Sequence, residues 1–141
     1  MTTGAKPERF SIRVPSSLAY LDQIVDDSQA FLIDHIPDDD FVYRVVLSVT
    51  EAVTNAMKHG NRFDESRYVT LDISVNGREV RVSVEDEGEG FVRKEIRNPL
   101  DEENLIRPSG RGIFLMESMA DEVAYENDGR RVRLGFRYPD S

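Results

Sequence analysis

The hydrophobic pattern of this chain switches between a period of two and a period near 3.6, and each switch marks an element. Phe10, Ile12 and Val14 alternate with polar residues and stop at Pro15, which reads as a short first strand followed by Ser16 or Ser17 as a helix N-cap. Leu18, Leu21, Ile24, Val25, Phe31 and Leu32 then recur at helical spacing as far as Asp34-His35. Pro37 breaks that helix and the acidic triplet Asp38-Asp39-Asp40 caps a second one. Its apolar stripe is Phe41, Val45, Val49, Ala52, Val53 and Ala56, and it is expected to end near Gly60 with a left-handed residue.

The period returns to two at Val69, Leu71, Ile73 and Val75, and again at Val80, Val82 and Val84. Asn76-Gly77 between these runs predicts a hairpin with a two-residue type I′ turn. A second hairpin is expected where Val123 and Tyr125 lead through Asp128-Gly129 to Val132, Leu134, Phe136 and Tyr138, ending at Pro139. Between the hairpins, residues 91–109 are charged and proline-punctuated, a candidate mobile loop, and residues 112–120 form an apolar, helical stretch. Strands with one wet face predict an α+β fold: a mostly antiparallel sheet of about five strands with helices packed on one side. Residues 9–138 are read as one domain, with a disordered lead at 1–8 and a tail at 139–141.

Composition narrows the chemistry. The chain has 141 residues, 39 % of them hydrophobic and 32 % charged, enough for one globular core. It has no cysteine and two histidines, so thiolate chemistry, disulfides and Cys-based metal sites are excluded and any metal would bind through oxygen. No apolar run approaches the roughly 20 residues of a membrane span and the N-terminus lacks an apolar signal core, so the chain is expected to be cytoplasmic. A net charge of −9 argues against DNA or RNA as a direct partner. It also requires local cations wherever a free nucleotide would bind; Lys58, Arg62, Arg93, Lys94, Arg97, Arg107 and Arg111 are the candidates.

Three short segments carry the candidate chemistry. In residues 51–61, Glu-Ala-Val-Thr-Asn-Ala-Met-Lys-His-Gly-Asn, a helix turns Glu51 and Asn55 to the same side, with Lys58 and His59 one turn further on. A single amide oxygen from Asn55 can complete a Mg²⁺ shell built on a triphosphate, and Glu51 can poise a nucleophile. Taken alone, this segment fits a solvated helix face, with Lys58 paired to an acid, somewhat better than a site. In residues 86–91, Asp86 stands at the end of a strand and is followed by Gly88 and Gly90, which let backbone approach a ligand closely. Asp86 would accept a proton from an exocyclic amine, which favours adenine over guanine; a plain polar turn is the alternative. Gly110 and Gly112 flank Arg111 just before an apolar helix, where free N–H groups favour phosphate oxygens. Neither a P-loop nor a dinucleotide fingerprint is present, because no Gly-Lys-Ser/Thr or G-x-G-x-x-G occurs in the required context.

In their order and spacing, these segments resemble the N-box, G1 box and G2 box of the GHKL (histidine-kinase-like) ATPase superfamily across roughly residues 9–138. Within it, the wording of residues 51–61 and 108–123 is similar to the anti-sigma-factor serine/threonine kinases of the stress-response and sporulation partner-switching systems. The resemblance implies a Bergerat-type two-layer sandwich with ATP and Mg²⁺ as ligands. It implies Glu51 as general base, Asn55 on the metal, Asp86 on the adenine amine, and Gly88, Gly90, Gly110 and Gly112 shaping pocket and lid. Lys58, His59, Arg107 and Arg111 are the further nucleotide-contact candidates, and either arginine could neutralise transition-state charge. The implied reaction is transfer of the γ-phosphoryl group to a serine of a STAS-type antagonist, by a homodimer that alternatively holds a sigma factor. A nucleotide-gated binding module without transfer is the competing expectation.

Overall fold

The computed structural model describes residues 8–88 and 118–138. In these the period-two runs become strands β1 (Glu8–Pro15), β2 (Tyr68–Asn76), β3 (Glu79–Glu85), β4 (Glu122–Glu126) and β5 (Arg131–Arg137). They form one five-stranded sheet in the order β1-β2-β3-β5-β4, with every neighbouring pair antiparallel. Glu8, expected in a disordered lead, is already in β1 opposite Val75.

Two helices cover one face. Ser17 accepts a hydrogen bond from the Ala19 N–H (3.2 Å) and caps a short 3₁₀ turn, Leu18–Tyr20, that runs into α1 (Leu21–His35). Asp38 caps α2 (Asp39–Asn55) by accepting from the Phe41 N–H at 3.1 Å. Every member of the expected α2 stripe is buried: Phe41, Val45, Val49, Ala52, Val53 and Ala56. They pack on the inward faces of Val69, Leu71, Ile73, Val80, Val82, Val84, Leu134 and Phe136 in one core. Burial of a large apolar side chain is worth ~1.5–3 kcal/mol, so this two-layer core is what holds the helix against the sheet. Phe41 closes it at one end, edge-on to Phe136 with ring centroids 6.5 Å apart. From the expected helical stretch at 112–120, Ser118 and Met119 are helical and Ala120 packs against the core; the remainder lies outside the described residues.

The other face is polar, with Glu85, Glu126, Arg131 and Arg133 linked by ion pairs of 3.2–3.4 Å. Inward valines alternate with these charges, so a one-residue slip of any strand would bury an arginine or a carboxylate. The register is specified by that penalty.

Two local expectations change. Asn76 is paired with Glu79 inside the ladder, so the first turn is Gly77-Arg78 rather than Asn76-Gly77. Gly77 has φ +63° and neither Asn76 nor Arg78 has a positive φ, which is the pattern of a type II′ rather than a type I′ turn. Gly60 is not left-handed either; the chain reverses through Arg62 (φ 53°) and Phe63 (φ 56°).

Candidate nucleotide site

The last turn of α2 is not α-helical. Residues Ala56–Gly60 widen into a π-helical turn, closed by Asn61 N–H donating to Ala56 O at 2.8 Å. Such turns recur at functional sites because they re-aim side chains. Here Lys58 and His59, expected one turn beyond Asn55 in an α-helix, are exposed on the widened turn, so the spacing that placed them in line with Glu51 and Asn55 does not extend past Asn55.

The widening brings Gly60 against the end of β3. A methyl group at Gly60 would collide with the Asp86 carboxylate, and one at Gly88 would collide with the Gly60 carbonyl. Glycine at 60 is therefore explained by close approach and not by helix termination. The approach joins two segments separated by 25 residues of sequence, one carrying Glu51 and Asn55 and the other Asp86 and Gly88.

Asp86 is 6 % exposed. Burial pushes its carboxyl up from 3.8 to about 6, against the opposing pull of the Gly88 N–H, which donates to Oδ1 at 2.9 Å, and of the Arg130 guanidinium. An acid held this way carries a carboxylate largely shielded from water, suited to a ligand N–H donor. Arg130 fastens the turn on one side: its carbonyl accepts the Asp86 N–H at 2.9 Å and its Nε donates to Gly88 O at 2.6 Å. Asn61 fastens it on the other, with Oδ1 accepting the Glu87 N–H at 2.9 Å. The Glu87 carboxylate in turn accepts from Tyr68 N–H (2.7 Å) and from Arg13 (3.2 Å). Reading the sequence missed Arg130 and Asn61. Arg130 follows a hairpin glycine and Asn61 follows a helix-ending one, so both look like turn filler.

On α2, Glu51 and Asn55 are half-buried, and the Asn55 Nδ2 is buried with no hydrogen-bond partner among the described residues. An amide that nothing orients can present its oxygen instead, which fits a hard cation that takes one protein oxygen and keeps phosphates and waters. Among the described residues no group of three or more acidic or histidine side chains could hold a metal by itself. Gly90, Arg107, Gly110, Arg111 and Gly112 lie outside the described residues. A shallow cavity of about 580 Å³ on the polar face of the sheet, lined by residues such as Arg81, Ser83 and Arg133, shares no residue with 51–61 or 86–88.

Comparison with known proteins decides the lineage. The model of the histidine kinase-like ATPase domain matches residues 14–136. The chain belongs to this family. Within the histidine kinase-like ATPases it is 34 % identical over 110 residues to an anti-sigma F factor of Anoxybacillus flavithermus, across 74 % of this chain and 75 % of the relative. It is 36 % identical over 103 residues to an anti-sigma F factor of Clostridium perfringens, across 70 % of this chain and 74 % of that protein. It is 34 % identical over 96 residues to the serine-protein kinase RsbW of Staphylococcus epidermidis, across 62 % and 60 % of the two chains. Among solved structures, that of the RsbU and RsbW domains of Rv1364c from Mycobacterium tuberculosis superposes with a TM-score of 0.67 at 16 % identity. The superposition covers 92 % of this chain and 32 % of that longer one, and it bears out the α+β histidine kinase-like ATPase fold.

Proposed function

We propose that this chain is an ATP-dependent protein serine kinase that acts as an anti-sigma factor in a partner-switching system. The observation that carries this reading is the meeting of Gly60 with Asp86 and Gly88, which joins the Glu51–Asn55 helix to a buried carboxylate suited to an amine. Relatives named anti-sigma F factor and serine-protein kinase support the same assignment.

In this reading Asp86 accepts a hydrogen bond from the exocyclic amine of adenine, and Gly60 and Gly88 let the helix end pack against the Asp86 turn. Asn55 offers its amide oxygen to Mg²⁺, which, when bound, neutralises phosphate charge. The hydroxyl of a serine on a STAS-type antagonist attacks the γ-phosphorus while Glu51 takes its proton. The Oγ–P bond forms as the bond from phosphorus to the β-phosphate oxygen breaks, and ADP leaves. Positioning supplies most of the acceleration. Arg107 or Arg111 supplies further phosphate contact, with Gly90, Gly110 and Gly112 as close-approach backbone. Lys58 and His59 add positive charge at the helix end. The kinase works as a cytoplasmic homodimer and holds a sigma factor when the antagonist is phosphorylated.

The test is incubation with γ-labelled Mg-ATP and a STAS-type protein. Label on an antagonist serine, lost in Glu51→Gln while ATP binding persists, supports the reading. ATP binding with no transfer to any of several antagonists would sink the kinase assignment in favour of a nucleotide-gated binder.

A further inference from the structure

Asn61 is fully buried, and its side-chain amide joins three separate segments of the chain through one side-chain hydroxyl and two backbone groups. Its Nδ2 donates to Ser16 Oγ (2.7 Å) at the exit of β1 and to Tyr68 O (3.0 Å) at the entry of β2. Its Oδ1 accepts the Glu87 N–H (2.9 Å), one residue past Asp86. The orientation of the amide follows from its partners. A backbone N–H can only donate and a carbonyl can only accept, so a flipped amide would lose both contacts. Ser16 Oγ uses its own proton on Arg67 O (2.8 Å), which leaves it an acceptor for Asn61. Smaller or acidic replacements fail one of the three demands: aspartate cannot donate to Tyr68 O, serine is too short to span the two sides, and alanine bonds to neither.

The chain position of Asn61 gives this clasp its meaning. Gly60, immediately before it, carries no side chain and lets the Asp86 carboxylate rest on the helix end. Asn61 then bonds the peptide immediately after Asp86. The distance between helix end and carboxylate is thus set by one amide, opposite the Arg130 contacts on the far side of the turn.

We infer that Asn61 is the positioning residue of the base-reading turn: by clasping Glu87 N–H it fixes where the Asp86 carboxylate stands, and with it the preference for adenine over guanine. The inference rests on the reading of Asp86 given above and deepens it. The amide of Asn61 is spent on Ser16, Tyr68 and Glu87, so its loss acts first on base binding and should weaken nucleotide affinity more than it lowers the saturating transfer rate.

The experiment measures dissociation constants for Mg-ATP and Mg-GTP by competition against a fluorescent nucleotide, together with melting temperatures and the saturating transfer rate. The proteins are the full-length wild type, Asp86→Asn, Asn61→Ala, Asn61→Ser and Ser16→Ala. Asn61→Ala and Asn61→Ser are expected to bind ATP about tenfold more weakly and to lose a similar factor of ATP-over-GTP preference. Ser16→Ala, which removes a partner from the other end of the amide, should lower the melting temperature and leave the preference intact. If Asn61→Ala does not fold, Asn61→Ser carries the comparison. A folded Asn61 variant with undiminished preference overturns the inference while Asp86→Asn still abolishes that preference. A wild type without the preference, or an Asp86→Asn that keeps it, overturns the reading of Asp86 and the inference with it.

Discussion

Replacing Asp86 by asparagine should stabilise the nucleotide-free protein while removing its ligand preference. The Asp86 carboxyl is raised from 3.8 to about 6 by burial, so the folded state binds a proton that the unfolded chain releases over that interval. Stability contributed by the protonated form is therefore fully present below about pH 4 and is lost as pH rises through about 6. At ~1.36 kcal/mol per pK unit, holding the carboxylate ionised at neutral pH costs about 3 kcal/mol, roughly 10 °C of melting temperature at this chain length. Asparagine keeps an oxygen for the Gly88 N–H, now bonded at 2.9 Å, and carries no charge. Urea unfolding of both proteins without nucleotide, followed by circular dichroism across about pH 4–8, reads the difference directly. The variant should gain on the wild type through about pH 4–6, then hold a constant lead of about 3 kcal/mol. A lead that does not change with pH, or an asparagine variant less stable than wild type at neutral pH, would refute the claim that burial dominates at this carboxyl.

Further predictions follow from the same contacts. On the proposed reading, in which the ionised carboxylate is the acceptor, lowering pH from about 7.5 to 5 should weaken ATP binding about tenfold beyond any change seen in Asp86→Asn, as measured by calorimetry; equal slopes for the two proteins would contradict it. Gly60→Ala forces the Asp86 carboxylate away from the helix and should weaken ATP binding at least tenfold with a modest loss of melting temperature. Gly88→Ala meets backbone instead, the Gly60 carbonyl, and should cost ~2–3 kcal/mol of folding stability, visible in urea unfolding. Asp38→Ala removes the α2 cap and should cost ~1 kcal/mol with ATP affinity unchanged. With a chain charge of −9, association with a sigma factor bearing basic surfaces should slow as salt is raised from low to physiological strength, and stopped-flow rates indifferent to salt would exclude such steering.

Much of the fold was legible because it rests on periodicity. Val69, Leu71, Ile73 and Val75 alternate cleanly, and so do Val80, Val82 and Val84, since one face meets helices and the other meets water. Asp38 was legible as a cap because an acid after a proline and before an apolar stripe has few other uses. The first hairpin turn was misread by one residue: glycine satisfies a positive φ at either central position, and only the pairing of Asn76 with Glu79 selects between them. At the site, Asp86 and Gly88 stood out as residue types, whereas the role of Gly60 did not, because its reason is a carboxylate 26 positions away. Asn61 and Arg130 were unreadable for the same cause. The contacts that tie them to the Asp86 turn are to backbone groups, the Glu87 N–H for Asn61 and the Gly88 carbonyl for Arg130, and a backbone amide or carbonyl looks identical at every position of a sequence.

Strand β3 is hydrogen-bonded on both sides, by β2 and by β5, and Asp86 is the residue immediately after it. The Asp86 carboxylate is thus mounted on the central plank of the sheet, the kind of element whose amides open to exchange at the greatest free-energy cost. A form in which the sheet has come apart would lose the seat of Asp86 against the helix end. On the proposed reading, any lesion that loosens the sheet, however distant, should lower apparent nucleotide affinity by shrinking the competent population.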